Sequence, residues 1–276
     1  MSSSSTPIDV EIECRNIPFN FSIDDAGYWN DNSPVKTYFW NSLSLGLPQL
    51  ENAAVKTIAN VLPSIKDEAL NKCAKVFCMQ ESTHAIKHGV FNSAFLQGNH
   101  QSFINLDNKI FAFVIGLLPQ KFTLGLFSGV EHITSIISHV GLEQPERWFG
   151  NCNPEVYRLW DWHAMEELEH KSVCFDVYNY MGGGWLQRCI TMLFVTFFIL
   201  LPSVSVRLLY LLWNDKKLFL GRTWKQIFSL LVGRDGVFRL ILGEYLEYFK
   251  KNFNPWDQDS RSLISAWKKK QTVGEV

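Results

Sequence analysis

The chain has 276 residues, 47% of them hydrophobic and 14% aromatic, which is enough to bury a sizeable core in one large domain or in a domain with an appendage. Its formal net charge of −1 gives no reason to expect nucleic acid as a partner. The six cysteines lack disulfide or zinc spacing, and the N-terminus lacks the basic and apolar regions of a secretory signal, so we expect a cytoplasmic protein with reduced thiols.

The first part of the chain predicts an arm followed by a long helix. Residues 1–33 mix Ser, Pro, Asp and Asn with isolated aromatics, which is typical of an N-terminal arm that is partly disordered. From Pro34 onward the apolar residues recur at helical spacing. We expect Gly46 and Pro48 to break or kink this helix just before its single carboxylate, that of Glu51.

The middle of the chain predicts two further helices joined by a crossover. Glu81 and His84 lie at the spacing i, i+3 in a long second helix, which aims a carboxylate and an imidazole at one point. Residues 99–119 combine a polar loop with an apolar segment, and we interpret them as a crossover that lets the next helix run parallel to the previous one. The third helix, residues 120–140, contributes Glu131.

The fourth helix has the clearest start signal in the chain, because Asn153 can act as its cap and Pro154 suits its first position. We expect it to run from there to the triple glycine at residues 182–184. Three of its side chains share one face at i, i+4 and i+7, namely His163, Glu167 and His170.

The C-terminal part, residues 185–276, differs in kind from the rest. Residues 189–206 carry no charge, but Pro202 and Arg207 divide the apolar stretch into two pieces of about a dozen residues. That length favours an apolar helical hairpin, followed by amphipathic helices to the C-terminus. The hairpin can fold onto the bundle or make a peripheral contact with the inner face of the membrane, and the sequence leaves both alternatives open, as it does a homodimer.

The four long helices bring together the ligand set of a carboxylate-bridged di-metal site. Such a site in a helical bundle uses two Glu-x-x-His pairs and one Glu from each of two other helices. One such pair alone is usually a solvated helix face, but two pairs on separate helices are not expected by chance. We therefore predict an all-α, ferritin-like four-helix bundle over residues 34–184. Its predicted metal ligands, which are also the predicted catalytic residues, are Glu51, Glu81, His84, Glu131, His163, Glu167 and His170.

Other polar residues near these ligands are expected to hydrogen-bond to the ligands or to neighbouring helices rather than to bind metal. His88 follows the second helix face by one turn and is expected behind the ligands or along a channel. His132 points about 100° away from Glu131, so we expect it to hydrogen-bond across a helix interface. Glu166 and Glu169 flank the fourth-helix motif and cannot both face the core together with Glu167. Asp176 is a candidate for orienting a ligand histidine. The carboxylate oxygens and imidazoles of the predicted ligands suit two Fe ions, or Mn, better than the thiolates of a structural zinc site would.

The segments QESTHAIKH, VEHITSIIS and LWDWHAMEELEHKSVCFDVY resemble a bacterial family catalogued as predicted metal-dependent hydrolases, which are similar to ferritin-like helical proteins. The resemblance extends from about residue 15 to the FNPWD segment at 253–257. Two positions depart from the family pattern, since Leu50 stands where the family has glycine and Asn254 stands where it has histidine. The histidine-rich fourth-helix motif also resembles di-iron N-oxygenases that act on arylamines and use an additional histidine.

Two enzymatic functions and one other function fit these features. The first is a di-iron oxidoreductase that activates O2 to oxygenate or desaturate a small, lipophilic substrate. It requires an external electron donor, because the sequence has no flavin or nicotinamide fingerprint. The alternative is a two-metal hydrolase of an ester or phosphoester. Iron storage or a membrane-associated scaffold is the third, and the long C-terminal appendage argues against the cage that storage needs.

Overall fold

The computed structural model describes three stretches of the chain, residues 3–21, 27–95 and 100–273. Parts of the predicted arm and crossover lie outside the described residues, namely residues 1–2, 22–26 and 99.

The described residues form helices and connecting loops, with one isolated β-bridge between Asn30 and Cys152, so the predicted all-α class is confirmed. In chain order the helices are α1 (Pro34–Ala59), α2 (Glu68–Phe95), α3 (Gln101–Gly116), α4 (Gln120–Glu143), α5 (Pro145–Trp148), α6 (Pro154–His170), α7 (Val173–Tyr180), α8 (Trp185–Phe194), α9 (Leu201–Asn214), α10 (Gly221–Val232), α11 (Val237–Glu247) and α12 (Arg261–Val273).

The helices that carry the predicted ligands pack against one another. α1 contacts α2 and α4, α4 contacts α6 and α7, and α2 contacts both α6 and α7. The ligand positions therefore face a shared interior. The ferritin-like topology and the end of the bundle at residue 184 stay predictions. Beyond residue 184, α8 packs against α4 and α9 packs against α1.

Two separate apolar cores lie on either side of the predicted ligands. On α2, Phe77 belongs to one core and Phe91 to the other, with Glu81 and His84 between them. The same alternation occurs on α4 and across the junction of α6 and α7. The predicted ligands thus form a polar layer between two regions that exclude water.

Pro48 does not interrupt the first helix, so the break expected at Gly46 and Pro48 is wrong. α1 is continuous from end to end with Pro48 inside it. A proline cannot donate to the carbonyl four residues earlier, and here the side-chain Nδ2 of Asn92 donates to that carbonyl, of Ser44, at 2.8 Å. Gly46 is needed because the guanidinium of Arg207 fills the space that a side chain would occupy.

The fourth predicted helix begins as expected but is interrupted before the triple glycine. The Asn153 side chain accepts hydrogen bonds from the backbone N–H groups of Glu155 and Val156 at 3.0 and 3.1 Å. α6 then ends at His170, and a turn at residues 171–172 precedes α7. In this turn, Nζ of the buried Lys171 donates to the Gln258 carbonyl and to Ser260 Oγ. These contacts come from the distant C-terminal segment, so local sequence patterns do not predict them.

The predicted apolar hairpin is wrong, because Trp185–Asn214 is one continuous helix of 30 residues. A π-helical segment, Val195–Leu200, joins α8 to α9 just before Pro202. Such wider turns accommodate a proline by shifting the hydrogen-bond ladder. Arg207 does not end the helix either, since it is 5% exposed and its Nη2 lies 2.6 Å from Asp107 Oδ2 on α3.

This long helix is apolar and largely uncovered. Its most apolar stretch has a mean hydropathy of 2.3, and 22% of that stretch is buried. Among the described residues it is the one helix that meets the length and composition needed to cross a bilayer. Core helices of other proteins meet the same criterion, so the finding concerns length and composition alone.

Candidate metal centre

The structure brings all seven predicted ligands together inside the helices. They form two adjoining groups, and within each group one ligand atom from every residue lies within 4.8 Å of the others. No member of the set is more than 4% exposed. The first group is Glu81, Glu131, Glu167 and His170, and the second is Glu51, His84 and His163.

The distances in the first group fit a shared cation. His170 Nε2 lies 3.1 Å from Glu131 Oε2, 3.3 Å from Glu81 Oε1 and 3.5 Å from Glu167 Oε1. Nε2 of His170 and these oxygens of Glu81 and Glu131 are buried without a properly directed hydrogen bond. Two ligand atoms that each lie about 2.1 Å from one ion are about 3.0–3.5 Å apart. Donor atoms that converge without bonding one another are what a metal ion requires.

Glu167 connects the two groups. The oxygen that faces His170, Oε1, also lies 3.3 Å from His163 Nε2 and 3.7 Å from His84 Nδ1. Glu81 Oε1 is similarly placed, 3.4 Å from His84 Nδ1. These two carboxylates therefore lie between the two groups, within 3.7 Å of imidazole nitrogens from both.

The imidazoles of His84 and His170 are oriented by hydrogen bonds on the side away from the site. His84 Nε2 lies 3.0 Å from Glu166 Oε2, and because a carboxylate accepts, this nitrogen donates. His170 Nδ1 lies 3.0 Å from Gln80 Oε1, which also accepts. The other nitrogen of each ring points toward the carboxylates, and it is the one that can bind a metal ion once it carries no proton.

A chain of hydrogen bonds with fixed directions orients His163. Because Asn92 donates to the Ser44 carbonyl through Nδ2, its Oδ1 accepts the Ser44 hydroxyl hydrogen at 2.7 Å. Ser44 Oγ is then the acceptor for Nδ1 of His88 at 2.8 Å. The bare Nε2 of His88 accepts from Nδ1 of His163 at 3.2 Å. The lone pair of His163 Nε2 therefore faces Glu167, and His88 lies behind the ligands, as expected from its position on the helix.

Glu166 and Glu169 do not join Glu167 among the clustered ligands, yet their carboxylates are fully buried. Their charge is balanced by both ends of the chain. Arg15 Nη1 lies 3.3 Å from Glu166 Oε1 and 2.9 Å from Glu169 Oε2, and Lys268 Nζ lies 2.7 Å from Glu169 Oε1. The sequence analysis did not identify Glu166 as the hydrogen-bond partner of His84. The one local feature that could have indicated this role is the number of acidic residues around Glu167.

Two other assignments have clear outcomes. His132 Nε2 donates to the Glu244 carbonyl at 3.0 Å and its ring stacks on Tyr248, which confirms the expected interface contact. Asp176 does not orient a ligand histidine. It accepts hydrogen bonds from the backbone and side chain of Ser5 at 2.7 and 2.8 Å, and thereby holds the N-terminal arm on α7.

Without metal, the protons of the site are distributed unevenly. Burial and neighbouring carboxylates raise the pKa of Glu51 and of Glu81 well above the ordinary value, and burial also raises the pKa of Glu131. Burial acts in the same direction on Glu167, but nearby imidazoles, that of His170 first, hold the pKa of Glu167 well below its usual range. Burial would lower the pKa of His170, yet Glu167 and other carboxylates raise it well above the usual value. Metal ions that bind here must displace several protons.

A cavity adjoins the site at His163. It has a volume of about 70 Å³ and a mostly apolar lining that includes Trp40, Trp160 and His163. A smaller cavity of about 10 Å³ is lined by the four clustered glutamates. Leu47 and Thr134 line both cavities, so they lie between the larger cavity and the carboxylates.

The comparisons with known proteins agree with this geometry. A family model described as "Predicted metal-dependent hydrolase" matches residues 13–259, a segment that contains all seven clustered residues. No curated protein and no solved structure matches the chain.

Proposed function

Because this chain belongs to the family of predicted metal-dependent hydrolases, we propose that its seven clustered residues hold two divalent metal ions and that the loaded protein hydrolyses an ester or phosphoester. The observation that carries the proposal is the position of Glu167 Oε1 within 3.7 Å of histidine nitrogens from both groups. A carboxylate in that position can hold two ions close enough to act on one substrate.

The donor set favours Fe²⁺ or Mn²⁺ in this proposal. Carboxylate oxygens and imidazole nitrogens suit these ions, whereas a structural zinc site uses thiolates. Two divalent ions also neutralise four carboxylates, whose burial without compensating charge would be strongly unfavourable.

The chain's own residues would bind the metal ions, orient the substrate and keep bulk water out of the site. Two bound ions supply a nucleophile by lowering the pKa of water, and they polarise the oxygen of the scissile group. Glu81 and Glu167, which lie near imidazoles of both groups, would help to hold both ions, and His84, His163 and His170 would each supply one nitrogen ligand. Both carboxylate oxygens of Glu51 lack a hydrogen-bond partner and Glu51 lines the small cavity. One of them can therefore bind an ion while the other takes a proton from the attacking water.

The larger cavity favours a small substrate with an apolar group. Its walls are aromatic and aliphatic, so burial of a hydrocarbon group there is favourable. Such a substrate would place its reacting group past Leu47 and Thr134, next to the glutamates.

Metal analysis and hydrolysis of a chromogenic ester test the proposal. Protein purified without chelator should contain close to two Fe or Mn ions per chain, and chelation should abolish hydrolysis of p-nitrophenyl acetate until metal is restored. Glu167→Gln should lose both metal and activity, whereas Glu143→Gln, at the exposed end of α4, should keep both. Metal-loaded protein without any esterase or phosphoesterase activity would exclude the hydrolase while leaving the metal centre in place.

O2 activation is a second candidate, and the dryness of the site favours it. All seven residues are nearly inaccessible to water, and the adjoining cavity is apolar, which suits oxidation of a lipophilic substrate better than water-dependent cleavage. A reduced di-iron pair supplies the electrons that O2 activation needs, and a separate donor would have to restore them. Rapid O2 consumption by the reduced, iron-loaded protein, absent in Glu167→Gln, would support this function over hydrolysis.

A further inference from the structure

We propose that α3, the helix Trp185–Asn214, α10 and α11 form an apolar surface with a basic margin that docks the protein on an anionic lipid bilayer. We call this the docking surface. The proposal does not depend on the metal centre, so it can be tested on metal-free and metal-loaded protein alike.

Each helix of the docking surface exposes large apolar side chains at helical spacing. One residue from each helix shows the extent: Phe113 is 68% exposed, Phe198 72%, Phe228 68% and Leu242 53%. Side chains of this size and exposure are expected on a surface that another apolar phase covers. The stripes on the three shorter helices are Leu106, Ile110 and Phe113 on α3 with Leu117 directly after it, Trp224, Phe228 and Val232 on α10, and Phe238, Leu242 and Leu246 on α11.

The four helices adjoin, so their stripes belong to one region of the molecule. On one side of the long helix, Phe103 of α3 stacks on Tyr210 with ring centroids 3.8 Å apart. About four turns earlier in the long helix, the hydroxyl of Thr196 lies 3.0 Å from that of Tyr245 on α11. α11 in turn packs against α10.

Charge and tryptophan placement point to a bilayer as the occupant. Residues 215–251 contain eight Lys and Arg against four Asp and Glu, although the whole chain has a net charge of −1. On α10, exposed Arg222 and Lys225 neighbour the exposed ring of Trp224. Trp185 and Trp213, 42% and 58% exposed, lie near the two ends of the long helix. Basic side chains beside aromatic rings are typical of surfaces that rest at the headgroups of anionic lipids.

The long helix is positioned to lie on a bilayer rather than to cross it. It packs against α1 and α4 along one side. In addition, the buried ion pair between Arg207 and Asp107 ties it to α3. A helix held by the protein in this way can present only its outer face to lipid, as in proteins that bind one leaflet.

Vesicle sedimentation of the full chain tests the proposal. The protein should sediment with vesicles of equal parts phosphatidylcholine and phosphatidylglycerol, and much less with phosphatidylcholine alone. Reversing two cations in the variant Arg222→Glu with Lys225→Glu should weaken binding roughly fivefold or more, and high salt should do the same. Phe228→Glu should weaken binding at least about tenfold.

The control is Ile8→Glu, a substitution at a fully exposed apolar residue of the N-terminal arm. It should bind vesicles as the wild type does, and all variants should keep the wild-type far-UV circular dichroism. Failure to sediment with anionic vesicles would overturn the proposal. Concentration-dependent dimers that Phe228→Glu dissociates in the absence of lipid would also overturn it, because a second copy would then cover the surface.

Discussion

Asn92 donates from Nδ2 to the backbone carbonyl of Ser44 at 2.8 Å, and in return accepts the hydrogen of the Ser44 hydroxyl. The carbonyl is free for this contact because Pro48, four residues later, has no N–H. Pro48 therefore affects more than the hydrogen bonding of α1 itself. It fixes the direction of every hydrogen bond from Asn92 to the ring of His163.

Removing the Ser44 hydroxyl should leave the direction of the hydrogen bond between His88 and His163 no longer fixed. In Ser44→Ala, His88 loses the acceptor for its Nδ1–H and can place its proton on either nitrogen. We expect the affinity of the ion bound by Glu51, His84 and His163 to fall roughly 10–100-fold. Competition with a chelator measures the affinity, and ¹⁵N NMR of the histidine rings reports the tautomer directly.

Ser42→Ala provides the matched control, since Ser42 is a buried serine of the same helix whose hydroxyl donates to the Tyr38 carbonyl. It should leave metal affinity unchanged. If both variants weaken metal binding equally, or if His88 carries its proton on Nε2 in the wild type, the hydrogen-bond directions inferred here are incorrect.

Substitution of a carboxylate that lies near both groups should remove more metal than substitution of one that belongs to a single group. Glu167→Gln should reduce the metal content from two ions toward none, because Oε1 of Glu167 lies near histidines of both groups. Glu51→Gln should leave about one ion, because Glu51 belongs to the three-residue group alone. Elemental analysis of the purified variants measures both. Equal losses would show that the two groups do not bind separate ions.

The stability of the metal-free protein should fall as pH rises above about 6.5, the ordinary pKa of histidine. The pKa values of Glu51, Glu81 and His170 are raised in the folded chain. Groups with raised pKa values stabilise the fold while protonated and lose this contribution as pH rises through the folded value. Buried His163 has a lowered pKa, so its contribution is already complete above its ordinary pKa.

Metal should reverse this dependence, because the ions replace the protons. Thermal unfolding of metal-free and metal-loaded protein across this pH range provides the comparison, with metal affinity itself rising with pH. A metal-free protein whose unfolding temperature rises over the same range would contradict the inferred protonation.

Filling the larger cavity should discriminate between substrates by size. Ala164 lines this cavity next to His163. Ala164→Leu should raise KM for a long-chain ester about tenfold while leaving that for an acetyl ester nearly unchanged. Metal content serves as the control and should equal that of the wild type. A uniform rise for both esters would indicate that the substrate does not enter here.

The sequence was sufficient to predict that the ligand-bearing segments are helical and that their ligands converge. The Glu-x-x-His spacing and the apolar periodicity are local, and each residue of the set keeps its helix face in the structure. Even Glu51, whose position was expected to depend on a kink at Pro48, faces inward from a continuous helix.

What the sequence could not predict depends on contacts between distant segments. Proline rules gave the wrong result twice, because Asn92 satisfies the carbonyl that Pro48 frees and a π-helical segment precedes Pro202. Glu166 was not recognised as the partner of His84 because its charge is balanced by Arg15, 151 residues earlier. Such compensation has no periodic signature.

The polar layer between the two apolar cores would make the stability of the folded chain depend on metal supply. The two cores cannot merge across buried glutamates, so ions bound as proposed would stabilise the contact between them. In a chain synthesised when iron or manganese is scarce, the polar layer would lack its ions, and local opening and proteolysis would begin there. The cellular amount of this protein would then follow the availability of its metal, and degradation would remove the copies that never acquired it.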